Sequence, residues 1–120
     1  MTSFSPAPVK PVVALSVLES LDIRVGAIVA VDDVPSSKKL VKLTVDFGDH
    51  TRSILAGVKQ ERSDVSSLVG TQTLFVVNLA PRAMAGEVSE GMLFDIGFAD
   101  RVLPALALPE RAVPNGVRAG

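Results

Sequence analysis

The 120-residue chain has no cysteine, no tryptophan, no tyrosine and a single histidine. Without cysteine there is no disulfide, no thiolate nucleophile and no Cys-ligated metal, and the composition suits a reducing cytoplasm. His50 alone, between Asp49 and Thr51, can build neither a Ser-His-Asp triad nor a histidine metal site. We expect it to be a solvated residue of a hairpin turn, with no partner for acid–base or metal work. No GxGxxG and no Walker-type phosphate loop occurs. The adjacent carboxylates Asp32 and Asp33 fall in turn-like sequence, where facing solvent is the expectation. No enzyme, no cofactor and no metal is therefore expected. Aromatics are thin, with five Phe, and no evident platform exists for stacking bases. Excess positive charge is missing too: twelve Lys and Arg against thirteen Asp and Glu leave a net charge of −1. Any contact with nucleic acid must then come from a local patch and not from the overall field. Residues 1–20 lack a basic start ahead of a long apolar run, and Glu19 and Asp22 interrupt the only candidate. No signal peptide and no bilayer-spanning run is expected, hence no membrane partner.

What is present organises as one domain. A chain this long buries roughly 65% of its extended surface on folding, enough for a core without staples. Pro6, Pro8 and Pro11 among small residues predict an extended arm over residues 1–15. Ser16 followed by Glu19 matches a capping box and predicts a short helical turn. Leu21, Ile23, Val25, Ala27, Val29 and Val31 then alternate, predicting a long first strand with these side chains on one face. Gly26 in its middle predicts a bulge or bend. After a loop at Asp32–Ser37, Val41, Leu43, Val45 and Phe47 alternate inward, which turns Lys42 outward. Gly48-Asp49 predicts a hairpin into a third strand over Thr51–Gly57.

Ser63 or Asp64 can cap a short helix within residues 59–70 that Gly70 ends. Leu74–Val77 reads as a fourth strand, Pro81 to Gly86 as a loop, and Met92–Ile96 as a fifth strand. Three strands, a short helix and two more strands form the order of an OB-fold barrel. We expect an all-β protein with small helices, its barrel spanning residues 16–97. The tail, 98–120, carries the apolar run Val102–Leu108 interrupted by Pro104. Apolar surface left over after a complete barrel predicts a subunit interface, so the extension is expected to hold a homodimer.

Asn78-Leu79-Ala80-Pro81-Arg82 and Ser89-Glu90-Gly91-Met92 have no local structural need behind them. Together with Leu21-Asp22-Ile23-Arg24-Val25-Gly26 and Lys39-Leu40, they resemble the tRNA-binding domains of the methionyl-tRNA synthetase C-terminal type. That family includes free-standing bacterial tRNA-binding dimers and CsaA-like export chaperones. The resemblance runs from about Ser16 to Gly120 and implies the same OB-fold. It implies RNA-contacting roles for Lys39, Asn78, Arg82, Ser89 and Met92. For Asn78 and Ser89 the alternative is bonding to loop backbone, and for Met92 it is a place in the core. Lys42 and Arg52 join the set as basic residues on the side of strands two and three, near Lys38 and Lys59. Arg24 matches the resemblance, and a structural salt bridge accounts for it equally well. Ala83, Met84 and Ala85 stand where many relatives carry further basic residues, and Glu87 and Glu90 add negative charge.

The leading expectation is a cytoplasmic tRNA-binding homodimer that reads shape and phosphates. The second is a CsaA-like chaperone for unfolded or secretory polypeptide. A dimeric scaffold without ligand is the third.

Overall fold

The computed structural model describes residues 3–120, so the first two residues of the expected arm lie outside the described residues. A short helix, α1 (Leu15–Glu19), leads into β1 (Ile23–Asp33), followed by β2 (Val41–Asp46) and β3 (Thr51–Ala56). A turn of 3-10 helix at Val65–Leu68 precedes β4 (Gln72–Val76). Then come β5 (Arg82–Met84), β6 (Glu87–Ser89) and β7 (Met92–Leu93), with a last 3-10 turn at Phe98–Asp100. The main sheet is antiparallel in the order β3-β2-β1-β4-β7, while β5 and β6 pair separately. This curled five-stranded sheet with its helical turn before β4 is an OB-like, mostly β fold.

The curl brings β3 against the link between β6 and β7. Glu90 N donates to Ser53 O at 2.8 Å, and Leu55 N donates to the Ser89 hydroxyl at 3.0 Å. Inside lie Ile28, Val41, Leu43, Val45, Ile54 and Phe75, all essentially without solvent contact. Phe47 meets Phe75 edge to face at 5.7 Å, and both are buried, Phe47 in the place its alternation assigned.

The structure corrects several expectations. The bulge falls at Val29, between Ile28↔Val45 and Ala30↔Thr44, and not at Gly26. An extra residue there switches the faces of a period-two strand, so Ile28 before it and Val31 after it both pack on the core while Val29 is exposed. Gly26 serves instead as the close-approach site: a Cβ there would overlap Val45 Cγ1 and meet Phe47 Cε1 at 2.8 Å. The capping box is absent, because α1 starts two residues earlier with Ala14 at its N-cap and no side-chain cap. Asp64, in contrast, does cap the 3-10 turn by accepting from Ser66 N at 3.0 Å. The loop expected at Pro81–Gly86 is a hairpin whose two turn residues, Ala85 and Gly86, both have positive φ. That is the backbone twist a two-residue hairpin demands.

The tail is woven into the sheet. β2 pairs β1 only from Ala27 onward, which leaves the first half of β1 with an open edge. Val25 N donates to Val117 O, Gly116 N to Val25 O, and Ala119 N to Ile23 O, so the chain end covers that edge. Thr73 Oγ1 donates to Ala107 O, and Gln72 clasps Val113 and Asn115. Gly116, at φ +92°, passes so close to Phe47 O that any Cβ would collide with it.

Candidate nucleic-acid interface

The first β1–β2 loop residues and the tip of the β5–β6 hairpin stand side by side on the β2–β3 face. Ser36 Oγ donates to Ala85 O at 3.0 Å, and Lys42 Nζ pairs with Glu87 at 3.2 Å. The loop itself is fixed from within. Ser37 Oγ accepts from Lys39 N and Leu40 N, and Lys59 Nζ donates to Val34 O and Ser37 O while pairing with Asp33. Lys38, Lys39 and Arg82 are exposed, and none of the three side chains has an ion-pair partner among the described residues. Lys38, Lys39 and the paired Lys42 thus stand where a buttressed loop meets a hairpin to form a ledge, and Arg82 opens that hairpin's first strand. Such a ledge offers point charges and forked donors to anionic oxygens.

Of the other sequence-selected residues, Arg52, Asn78 and Ser89 are already engaged in bonds within the fold. Arg52 Nη1 donates to Val77 O at 2.7 Å and Glu90 O at 3.1 Å, which ties β3 to both ends of the β4–β7 connection. Asn78 accepts from Asp22 N at 2.8 Å and donates to Ser20 O at 2.7 Å, pinning the α1–β1 junction to the end of β4. Ser89 is buried, and its hydroxyl accepts from Leu55 N and donates to Gly91 O. Lys59 is a loop clamp, as above. Met92 is not a core residue: it stands 46% exposed at the sheet's short edge strand, because β7 lies at the margin of the sheet. Arg24 has the salt-bridge role, with Nε 2.9 Å and Nη2 3.0 Å from the two Asp22 oxygens. That bridge holds the Asp22 carboxyl below the usual carboxylate range.

His50 is exposed beside the β2–β3 turn, as expected, but its ring is held by neighbours that the expectation did not name. Its Nδ1 lies 2.6 Å from Asp49 Oδ1, its Nε2 accepts from Arg52 Nε at 3.0 Å, and its ring lies on Phe47. The contact with His50 holds the Asp49 carboxyl below its ordinary value. Sequence spacing does give a signal for this, since alternation along a strand puts His50 and Arg52 on one face. The covering role of Phe47 emerges only from the turn.

Taken together, the curled five-stranded sheet and the cationic loop-and-hairpin ledge define a small β-domain of the OB-like class. The chain belongs to the family described as "Putative tRNA binding domain", whose sequence pattern matches residues 23–118. It is 39% identical over 114 residues to the methionine–tRNA ligase of Phocaeicola vulgatus, a match covering 94% of this chain and 17% of that enzyme. With the methionine–tRNA ligase of Methanocaldococcus jannaschii it shares 44% identity over 79 residues, 66% of this chain and 12% of that enzyme. The chain therefore spans less than a fifth of the length of these relatives, and it is homologous to their C-terminal region. Among solved structures, a MetRS-related protein from Pyrococcus horikoshii superposes with a TM-score of 0.84 at 30% identity, covering 92% of this chain and all of that one. The CsaA chaperone protein from Picrophilus torridus superposes with a TM-score of 0.79 at 25% identity, over 91% of this chain and all of that one. No helix among the described residues is long and apolar enough to cross a membrane.

Proposed function

We propose that this chain is a non-catalytic tRNA-binding protein of the cytoplasm that holds folded tRNA by shape and phosphates and works as a homodimer. One observation supports the reading: the Ser36–Ala85 and Lys42–Glu87 contacts join the loop that bears Lys38 and Lys39 to the hairpin that Arg82 opens, despite the net charge of −1. Lys39, Lys42 and Arg82 meet phosphates, Met92 offers an apolar shelf, and Arg52, Asn78 and Ser89 shape the loops behind them. Support for the dimer comes from α1, which buries no residue and leaves Leu15, Val17 and Leu18 exposed. Phe98 and Leu103, each more than two-thirds exposed, add apolar surface in the tail.

The test is a filter-binding titration against bulk tRNA at low and moderate salt. A few neutralised phosphates per protomer give a slope of log affinity against log salt of roughly −2 to −3, doubled when both protomers engage one RNA. Arg82→Glu and Lys39→Glu are each expected to lower affinity and flatten that slope. Absence of tRNA binding even at low salt sinks the reading.

A chaperone function has one observation in its favour. Phe98, Val102, Leu103 and Pro104 border an open groove of about 530 Å3, an apolar surface suited to extended polypeptide. Suppression of aggregation of an unfolded protein, with no binding of tRNA, would select this reading.

A further inference from the structure

Behind the ledge, at the other end of the β4–β5 connection, lies a cleft of about 300 Å3 whose walls include Asp22, Arg24, Phe47, Asp49, His50 and Arg52. The geometry points to this cleft as a pocket for one unstacked purine of the bound RNA, guanine in preference to adenine. This inference rests on the RNA-binding reading and adds a base contact to a grip otherwise made on phosphates.

The first ground is a stacking platform that composition conceals. The His50 ring lies against the Phe47 ring with centroids 5.6 Å apart and planes 26° from parallel. Phe47 is almost wholly buried, so it is a fixed floor, while the His50 side chain remains 42% exposed. A guanidinium has only donors, so Arg52 Nε makes His50 Nε2 an acceptor. The ring proton then sits on Nδ1 and is donated to Asp49 Oδ1 at 2.6 Å. Both edges are held, and an aromatic face fixed in this way loses little rotamer freedom when a base stacks on it.

The second ground is the mix of donors and acceptors. Arg24 uses Nε and Nη2 on Asp22, and Arg52 uses Nε and Nη1 on its partners. Among the described residues, Arg24 Nη1, Arg52 Nη2 and Asp49 Oδ2 have no side-chain partner. The walls thus offer guanidinium donors together with a carboxylate acceptor. A bare phosphate would be repelled by Asp22 and Asp49, and an apolar peptide side chain would strip water from all four charged groups. A guanine edge matches both signs, with O6 and N7 for a guanidinium and N1–H and the amino group for a carboxylate. Adenine lacks the acceptor O6 and the N1 proton.

The test is an NMR titration of the intact protein with GMP, AMP, CMP and UMP, and separately with a short extended apolar peptide. GMP is expected to shift the His50 ring and Arg24 signals and to bind several-fold more tightly than the other nucleotides. His50→Gln keeps an acceptor for Arg52 but removes the ring, and is expected to weaken GMP binding about tenfold. His50→Phe restores the ring face and is expected to recover most of that loss. Filter binding with tRNA is expected to show a comparable loss for His50→Gln with the salt slope unchanged, since the lost contact is uncharged. If tRNA binds but GMP shifts nothing and His50→Gln is silent, the base pocket is refuted and the tRNA reading survives. If the peptide and not the nucleotides perturbs the cleft, the pocket is refuted in favour of polypeptide. If GMP binds as expected while tRNA does not bind at any salt, the pocket stands as a nucleotide site and the tRNA reading falls.

Discussion

Ser89 and Asp22 illustrate how polar residues with a functional signature can serve the frame that holds a site. The Ser89 hydroxyl satisfies Leu55 N, a buried donor on β3 with no other partner in that direction. Ser89→Ala strands that donor, a loss of about 1–3 kcal/mol measurable as a lower urea midpoint. The Asp22 carboxylate is held below its ordinary value first by its bond to Arg24, opposed by partial desolvation. Because its folded value is the lower one, the pair's stabilisation is complete above the ordinary carboxylate range. It fades as pH falls from there through the lowered folded value. Thermal unfolding followed from about pH 6 to about pH 2 is expected to show a shallower acid decline for Asp22→Asn. Glu61 has the opposite sign: burial raises its carboxyl, and its cost is relieved as pH falls through that raised value.

Among the elements, β1 sets the architecture. Its bulge at Val29 lets one strand serve two curvatures, with β4 along its first half and β2 along its second. The edge that β2 leaves open is taken by residues 116–119, and the Pro114-Asn115-Gly116 turn seats on the β2–β3 hairpin. A chain ending at Gly97 therefore loses the cover of Ile23 and Val25 along with the anchors of Gln72 and Thr73. Circular dichroism during urea unfolding is expected to show a much weaker, less cooperative transition for that variant. A truncated chain as stable as the full one would mean that the tail merely rests on the sheet.

The whole molecule combines a near-neutral charge with a local cationic ledge and unusually exposed apolar termini. Val9 and Val12 are almost wholly accessible and no residue of α1 is buried, so the N-terminal segment gains little hydrophobic stabilisation within one protomer. A second copy would cover it, and light scattering is expected to give twice the chain mass at micromolar concentration. Replacing Leu15 and Leu18 with Ser is expected to yield monomers that bind tRNA more weakly, since avidity is lost. A full-length chain that stays monomeric would remove the dimer from the proposal.

Period-two alternation in Val41–Phe47 and turn chemistry at Gly48-Asp49 determined the central hairpin, because those signals are local and the core accepts only one register. The same locality made the five-strand order and the OB-like class legible, along with the basic residues of the β1–β2 loop. What tertiary structure alone decided is which polar groups remain free. Arg52 and Lys59 read as exposed cations in the sequence, and Asn78 and Ser89 as either RNA contacts or bonds to loop backbone. Yet the partners of all four sit far along the chain, as in the Asn78 bond to Ser20. The bulge at Val29 and the use of the tail as an edge strand were equally hidden. Both answer to backbone hydrogen bonds that distant segments must satisfy, and no spacing within one strand encodes that demand.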